Sequence, residues 1–300
     1  MIAVLAFLLL ADVSPEQRAV NYLAGEVPRW QRDNHCFSCH NNGDGARALY
    51  AAARRGFVLP KGTLDDTTRW LLQPAGWDRN QGTPGFSNAK LARIQFAAAL
   101  AEAFVDGYAP RTTLIEGARL LLPDQETDGS WRVDTGGAPG APATYGIALA
   151  TYMARHTLET AGAREFAGPI ARANRWFLAA EPANLLETAT LLLALPRSVE
   201  VKRKWLDQLL RAQTAEGGWG PQLHAPAEPF DTAIVLLALD AIRDPKRTVR
   251  AAARGRAFLV SRQEPDGSWP ETTRPPGQIT YAEHISTSGW ALYALLTTGR

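Results

Sequence analysis

Residues 254–269 read Arg-Gly-Arg-Ala-Phe-Leu-Val-Ser-Arg-Gln-Glu-Pro-Asp-Gly-Ser-Trp. The part before Gln263 has the apolar spacing of an amphipathic helix, and Gly267 marks the turn that ends it. The pattern Gln-x-x-x-Gly-x-Trp occurs three times along the chain, beginning at Gln125, at Gln213 and at Gln263. A motif that recurs in this way indicates a repeat protein whose units stack on one another.

Weaker copies of the repeat keep only a pair of large apolar residues, at Tyr22-Leu23, Trp70-Leu71 and Trp176-Phe177. Amphipathic outer helices are therefore predicted to begin near residues 15, 63, 111, 165, 199 and 247. Segments rich in Ala and Leu alternate with them and predict enclosed inner helices at 46–53, 91–105, 145–154, 185–195, 232–242 and 289–296. No period-2 run of β-branched residues reaches a useful length, so the fold is predicted to be all-α.

Helical hairpins of this kind can bury their inner faces in an open solenoid or in a closed ring. Neither terminal helix has a polar face in place of its apolar one, so we expect closure into an (α/α)6 toroid of six hairpins. Connections from outer to inner helices are long, as at 123–143 and 263–285, and the reverse ones are short, as at 244–246. The long loops then share one rim of the ring, where binding and catalysis usually occur.

The composition is that of a globular protein, with 46% hydrophobic and 21% charged residues among 300. Basic and acidic residues number 32 and 30 and are spread along the whole chain, so no surface for nucleic acid is predicted. No apolar run is long enough for a transmembrane segment. These features exclude disordered, collagen-like and membrane-spanning classes of protein.

The apolar run at 2–10 has the length of the hydrophobic region of a secretory signal. A signal peptide at 1–11, cut after Ala11, would leave one toroid domain at 12–300. The alternative is a core helix that begins at Ile2, and the absence of Lys or Arg before the run weakens the signal. We expect an exported protein, periplasmic or extracellular.

The three full repeats resemble the QW motif of the squalene-hopene cyclase and prenyltransferase superfamily, and the resemblance extends over nearly the whole chain. It implies a toroid in which the motif Gln joins neighbouring outer helices. It also implies a terpenoid cyclase-like or prenyl-processing enzyme with an isoprenoid-like or other small apolar ligand in the central cavity. However, residues 228–233 match the family's Asp-rich protonation motif with Phe230 in place of the acid. Asp231 is therefore interpreted as a helix N-cap.

The only two cysteines form Cys36-Phe-Ser-Cys39-His40. This spacing is typical of covalent haem c attachment, in which two thiols bind the two vinyl groups and the adjacent His ligates the iron. Zinc is the alternative cofactor and would need a further ligand, such as His35. A redox disulfide is the other alternative. Attachment of haem c occurs outside the cytoplasm, so the predicted signal peptide supports it.

The sequence thus predicts an exported toroid with one haem at its rim, acting in electron transfer with a redox partner or on a small apolar molecule. A non-catalytic scaffold that binds lipid or protein is a further alternative.

Tyr145, Asp231 and His284 stand near the starts of inner helices and are weak catalytic candidates. Gly43 and Gly45 are expected to leave backbone room beside His40. For a second iron ligand, the sterically plausible residues are His35, His224 and His284, whereas Met153 lies deep within an inner helix and His156 toward the opposite rim. Five-coordinate iron without a second protein ligand is the alternative.

Overall fold

The computed structural model describes residues 13–80, 88–195, 200–274 and 280–298, so the predicted signal peptide at 1–11 lies outside the described residues. The outer helices are α1 (Pro15–Asn34), α3 (Asp65–Leu71), α5 (Arg111–Arg119), α7 (Ala167–Ala179), α9 (Val201–Ala212) and α11 (Pro245–Ser261). The inner helices are α2 (Ala46–Arg54), α4 (Ala89–Val105), α6 (Gly146–Ala161), α8 (Leu185–Ala194), α10 (Pro229–Ile242) and α12 (Tyr281–Thr297). Over these ranges the chain contains no strand, and the all-α prediction is confirmed.

The inner helices form a closed ring. Each packs against the next in chain order, and α12 packs against both α2 and α1. The Ala-rich and Leu-rich faces of the inner helices are buried from both sides, as an apolar circumference predicts. The expected (α/α)6 toroid is therefore confirmed, and the open solenoid is not formed.

The repeat motif joins neighbouring outer helices. The side-chain amide of Gln263 donates to the Gly267 carbonyl at 3.0 Å and to the Pro15 carbonyl at 2.8 Å, which ties α11 to α1. Trp269 Nε1 donates to the Leu259 carbonyl at 2.7 Å. The repeats that begin at Gln125 and Gln213 make the same set of bonds, to α7 and to α11. The hydrogen bonds that close the ring between α11 and α1 are thus of the same kind as those that join the other motif-linked outer helices.

The glycine of the motif is required by both conformation and space. Gly267 has φ of +97°, and a Cβ added there would lie 2.4 Å from the carbonyl oxygen of Arg18 on α1. Gly129 meets the backbone of Arg172 in the same way. Only glycine lets the turn adopt a left-handed conformation while it touches the next outer helix.

Helices α4, α10 and α12 begin earlier than the apolar runs predict, whereas α2 and α8 begin at the predicted residue and α6 begins one residue later. α12 begins at Tyr281 rather than at 289 because its polar first turns are buried and paired. Ser288 Oγ accepts from the Trp269 amide at 3.1 Å, and Thr287 Oγ1 accepts from the Thr272 amide at 3.2 Å. Side chains that look like those of a loop thus serve as acceptors for the repeat turns.

The connection from α3 to α4 departs from the repeat. α3 has only seven residues, and a 3-10 turn at Pro74–Arg79 follows it. Trp77, which is buried, donates to the Trp70 carbonyl at 3.4 Å and packs beside Gly117 of α5. Trp77 occupies the position of the motif Trp, but it follows Gln73 at a shorter spacing. The sequence pattern therefore did not identify this copy of the motif.

Within the described ranges, no helix is both long and apolar enough to cross a membrane.

Candidate functional site

A cavity of about 300 Å³, here called the rim cavity, lies at the mouth of the ring where the inner helices begin. Its volume is at the lower end of the range for small-molecule sites. It is formed by the end of α1, the Cys-His motif and the first turns of α4 and α12. Its walls are Trp30, Cys36, Phe37, Ser38, Cys39, His40, Asn80, Asn88, Leu91, Ala143, Thr280, Tyr281 and Ala282.

Aromatic stacking and a sulfur contact hold the first cysteine. α1 ends at Asn34, and the next residue, His35, has a φ of +56° that turns the chain back toward the ring. Cys36 is buried, and its sulfur accepts from Trp30 Nε1 at 3.3 Å. The Trp30 ring stacks on Tyr281 of α12 with centroids 5.2 Å apart. These contacts fix one wall of the rim cavity as a flat aromatic surface.

A π-helical turn at His40–Gly45 connects the motif to α2. Such turns are rare and occur often at functional sites. A Cβ added to Gly43 would lie 2.9 Å from Gln95 Cβ, so this glycine allows the turn to pack against α4. Gly45 is likewise close to Val27 of α1. The two glycines serve helix packing, and the expectation that they leave room beside His40 is wrong.

The His40 imidazole is held by hydrogen bonding at one of its ring nitrogens, Nδ1. Its Nδ1 lies 2.9 Å from Ser286 Oγ, and Ser286 also hydrogen-bonds Asp44. Gln95 Nε2 also lies 3.4 Å from Nδ1, so two side chains engage this ring nitrogen. No described residue hydrogen-bonds Nε2. Burial lowers the pKa of His40 to about 4, so the ring is neutral near pH 7.

Asp44 is the centre of a buried polar layer under the rim cavity. Tyr145 Oη donates to Asp44 Oδ1, and Gln95 Nε2 donates to Oδ2 at 3.0 Å. Burial raises the pKa of Asp44 above its usual range, although nearby Arg47 and these donors oppose the shift. Sequence reasoning missed this layer. The available signal was a pair of charges, Asp44 and Arg47, at the start of an otherwise Ala-rich inner helix.

The second cysteine has a suppressed acidity. Burial, together with the Asp44 carboxylate, raises the pKa of the Cys39 thiol to about 12. Both Cys36 and Cys39 are free thiols. Among the described residues, no group of three or more His, Cys, Asp or Glu side chains is arranged to hold a metal ion.

The three weak catalytic candidates are not brought together. Tyr145 is buried with its hydroxyl on Asp44, beneath the rim cavity. His284 Nδ1 lies 3.3 Å from Glu271 Oε2, and its ring meets the Tyr22 ring of α1 edge to face. His284 therefore faces the outer layer and does not line the rim cavity.

Asp231 is not the N-cap of its helix, and that expectation is wrong. α10 begins at Pro229, and Asp231 bonds the Arg274 guanidinium in a buried ion pair, which Glu228 joins at 2.9 Å. Burial raises the pKa of Asp231 to about 7, and the charge of Arg274 opposes that shift. The long loop that carries Arg274 supplies this partner from 43 residues away, which no local pattern could indicate.

The residues considered as a second iron ligand also lie in different parts of the structure. His35 is exposed at the end of α1, and His224 is exposed in the loop before α10. Neither lines the rim cavity. Met153 and His156 line a second cavity, here called the opposite cavity, where the inner helices end. Of the described His and Met side chains, only His40 lines the rim cavity.

The opposite cavity has a volume of about 180 Å³. Arg47 and Trp290 lie between it and the polar layer around Asp44, with the guanidinium carbon 3.8 Å from the centroid of the Trp290 ring. The centre of the ring is thus filled by side chains. The walls of the opposite cavity are Arg47, Tyr152, Met153, His156, Leu193, Leu237, Asp240, Ala241, Trp290, Tyr293 and Thr297.

Comparison with known proteins identifies the fold only. No family model matches the chain, and no curated protein matches it significantly. The solved structure of the type II terpene cyclase MstE from Scytonema is similar, with a TM-score of 0.53 and 12% identity over 95% of this chain and 98% of that one. A polysaccharide lyase has a TM-score of 0.52 and 13% identity over 94% of this chain and 97% of that one.

A glycosyl hydrolase of family 88 from Bacteroides vulgatus is similar to the same degree, with a TM-score of 0.52 and 12% identity over 95% of this chain and 99% of that one. Proteins of different activity thus have this architecture, and the site has to decide the function. The chain is, in fold, an α/α toroid, an architecture that it shares with all three of these proteins.

Proposed function

We propose that the protein carries one c-type haem in the rim cavity, joined to Cys36 and Cys39 and ligated by His40, and that it transfers electrons to a redox partner. One observation carries this proposal: both thiols and the imidazole of a five-residue motif line the same cavity. When bound, the haem would supply a one-electron couple. The protein's part is to attach, orient and partly shield it.

Attachment at the two thiols involves no change of redox state. Cys36 and Cys39 would each hold the haem through a thioether, in which the sulfur and the thiol hydrogen have been added to the two carbons of one vinyl group. In the folded ring Cys36 is buried and Cys39 is protonated near pH 7. We therefore expect attachment to precede the closure of the rim around the motif.

The residues present fit this group in two respects. Trp30 stacked on Tyr281, and Phe37 stacked on Trp70 with centroids 4.6 Å apart, provide flat apolar surfaces suited to a porphyrin. Ser286 engages Nδ1 of His40, so Nε2 is the nitrogen available to iron. A hydrogen bond to the other ring nitrogen is the usual means by which proteins orient a ligating histidine.

A cyclase activity is the alternative that the fold favours, because a type II terpene cyclase has a similar structure. Such an enzyme needs a carboxylic acid that faces its substrate. Asp231 lines neither the rim cavity nor the opposite cavity, and it is paired with Arg274. Phe230 is buried with its ring against Trp290. The geometry around the Cys-His motif therefore favours the haem proposal.

The test is co-expression of the full chain with a haem-attachment system, followed by a visible spectrum and a haem stain after denaturing electrophoresis. We expect a Soret band and a stain that survives denaturation. The double variant Cys36→Ala/Cys39→Ala should lose the stain. His284→Ala is the matched control, because this histidine lies outside the rim cavity, and it should keep both signals.

Two results would contradict the proposal. One is a folded wild-type protein without Soret band or stain in cells that attach haem to a control cytochrome. The other is stoichiometric zinc in the purified protein that is lost in the cysteine variant, which would replace haem by the zinc alternative.

A further inference from the structure

The side chain of Arg47 is buried in the centre of the ring and lines the opposite cavity. The guanidinium lies between two rings, 3.8 Å from the Trp290 centroid and 4.3 Å from the Tyr293 centroid. These cation–π contacts hold the charge in place but supply no acceptor for its N–H groups.

Two donors of this guanidinium have no partner. Nε and Nη2 of Arg47 are buried, and no described residue accepts a hydrogen bond from either. Both nitrogens are covered by neighbouring side chains, so a carboxylate in the cavity would pair with the charge of the guanidinium and not with these two donors. A buried charge without a counter-ion costs free energy, so an anion placed beside it would be bound favourably.

Of the acidic side chains near Arg47, Asp44 and Glu102 are engaged with other groups. Asp44, one helical turn earlier, accepts from Tyr145 and Gln95. Glu102 accepts from Arg54 at 2.5 Å and from Tyr293 Oη at 3.1 Å. Asp240 is exposed at the entrance of the cavity. Arg47 thus remains a positive charge without a hydrogen-bonded counter-ion.

We propose that the opposite cavity binds a small organic carboxylate, with Arg47 as the counter-ion. The rest of the wall is mainly apolar and aromatic, with Met153, Leu193 and Leu237 beside Tyr152. Such a wall suits the hydrocarbon body of an acid, and a volume of about 180 Å³ limits that body to a few carbons or one ring. A phosphate would need more donors than one guanidinium provides.

The experiment is a calorimetric titration of the full chain with benzoate, with its neutral isostere benzamide, and with inorganic phosphate. We expect benzoate to bind one to one with a dissociation constant of about 1 mM or lower. Benzamide should bind at least about tenfold more weakly, because it lacks the charge that the guanidinium needs. Arg47→Gln should weaken benzoate binding by about tenfold or more.

Ala241→Phe tests the site without changing Arg47. Ala241 is half-buried in the cavity wall on α10, so the larger ring should fill the cavity and abolish binding while the ring still folds. If Arg47→Gln fails to fold, this variant and the benzamide titration decide. Arg243→Gln, at an exposed arginine just after α10, is the control and should bind benzoate as the wild type does.

The proposal is overturned if benzamide binds as well as benzoate, if Ala241→Phe binds like the wild type, or if phosphate binds and benzoate does not. Absence of saturable benzoate binding up to about 10 mM also overturns it. The titration is repeated with Cys36→Ala/Cys39→Ala, where we expect the same affinity. The carboxylate site is thus tested independently of the haem.

Discussion

The two mouths of the ring treat their buried polar groups differently. At the rim cavity, Asn42 bonds the Ser38 amide at 2.9 Å and Thr67 at 2.7 Å, and His40 is held by Ser286. At the opposite cavity, Arg47 is held by aromatic rings and has donors without acceptors. The first mouth leaves neutral amide oxygens, those of Asn41 and Gln95, without a partner among the described residues, whereas the second leaves a charge that a ligand can complete.

Trp290 separates these two environments, so its removal should have the largest effect. Trp290→Ala deletes a fully buried ring that touches Arg47, Tyr145 and Phe230. We expect a loss of about 3–5 kcal/mol in the free energy of unfolding, measured with urea. Val249→Ala, at an exposed position on α11, should change it by less than about 0.5 kcal/mol. Similar losses in both variants would show that Trp290 does not support the centre.

Gly289 lets α12 approach the π-helical turn. A Cβ at this position would lie 2.8 Å from the carbonyl oxygen of Asp44, so Gly289→Ala should destabilise by about 1–3 kcal/mol. Gly25→Ala in α1 is the matched control, since nothing lies within 4 Å of its added Cβ. That variant should gain up to about 1 kcal/mol from helix propensity. Equal and favourable changes in the urea midpoint would rule out the close contact.

Ser286 affects the rim mouth only. Ser286→Ala removes a partner of His40 Nδ1 and one donor to Asp44, which should destabilise by about 1–3 kcal/mol. Ser261→Ala, on the exposed end of α11, should change stability by less than about 0.5 kcal/mol. Benzoate binding at the opposite cavity should not change in Ser286→Ala. A loss of that binding would mean that the two mouths are coupled.

The smallest predicted effect is a dependence of stability on pH that comes from Asp44. Its pKa is raised in the folded chain by burial, so the native state keeps a proton that the unfolded chain has already lost. Stability should therefore fall as pH rises from the usual carboxyl pKa toward the raised one, by at most about 1.4 kcal/mol per pH unit. Asp44→Asn should make this slope shallower in urea titrations, and the part that comes from other buried carboxyls, such as Asp231, should remain. An unchanged slope would assign the dependence to another group.

The architecture was predictable because it rests on a repeated signal. Gln263, Gly267 and Trp269 make contacts that depend on side-chain type and spacing, so each copy of the motif indicates a helix end, a turn and a neighbour. The alternation of amphipathic and Ala-rich helices gave the inner and outer layers. The copy around Trp77 was missed because a shorter turn changes the spacing while the packing stays the same.

The candidate site was only partly predictable. The motif formed by Cys36, Cys39 and His40 lies within five consecutive residues, so it can be recognised from the sequence alone. The following residues at 40–45 include two Asn, one Asp and two Gly, a composition typical of an exposed turn. They are instead mostly buried, because partners from distant segments, such as Thr67, Gln95 and Ser286, satisfy their polar groups. These contacts form only when distant segments meet in the closed ring, so no local sequence pattern predicts them.

The bond from Gln263 to Pro15 has a consequence for the order of the chain. Arg256 of α11 reaches both Glu16, at 3.3 Å, and the carbonyl of Thr298, so the first and last hairpins meet at one side chain. The order of the hairpins around the ring therefore does not depend on which connection between hairpins is the break in the backbone. A circular permutant that joins the segment after α12 to α1 and opens at Asp244 would retain every joint between outer helices.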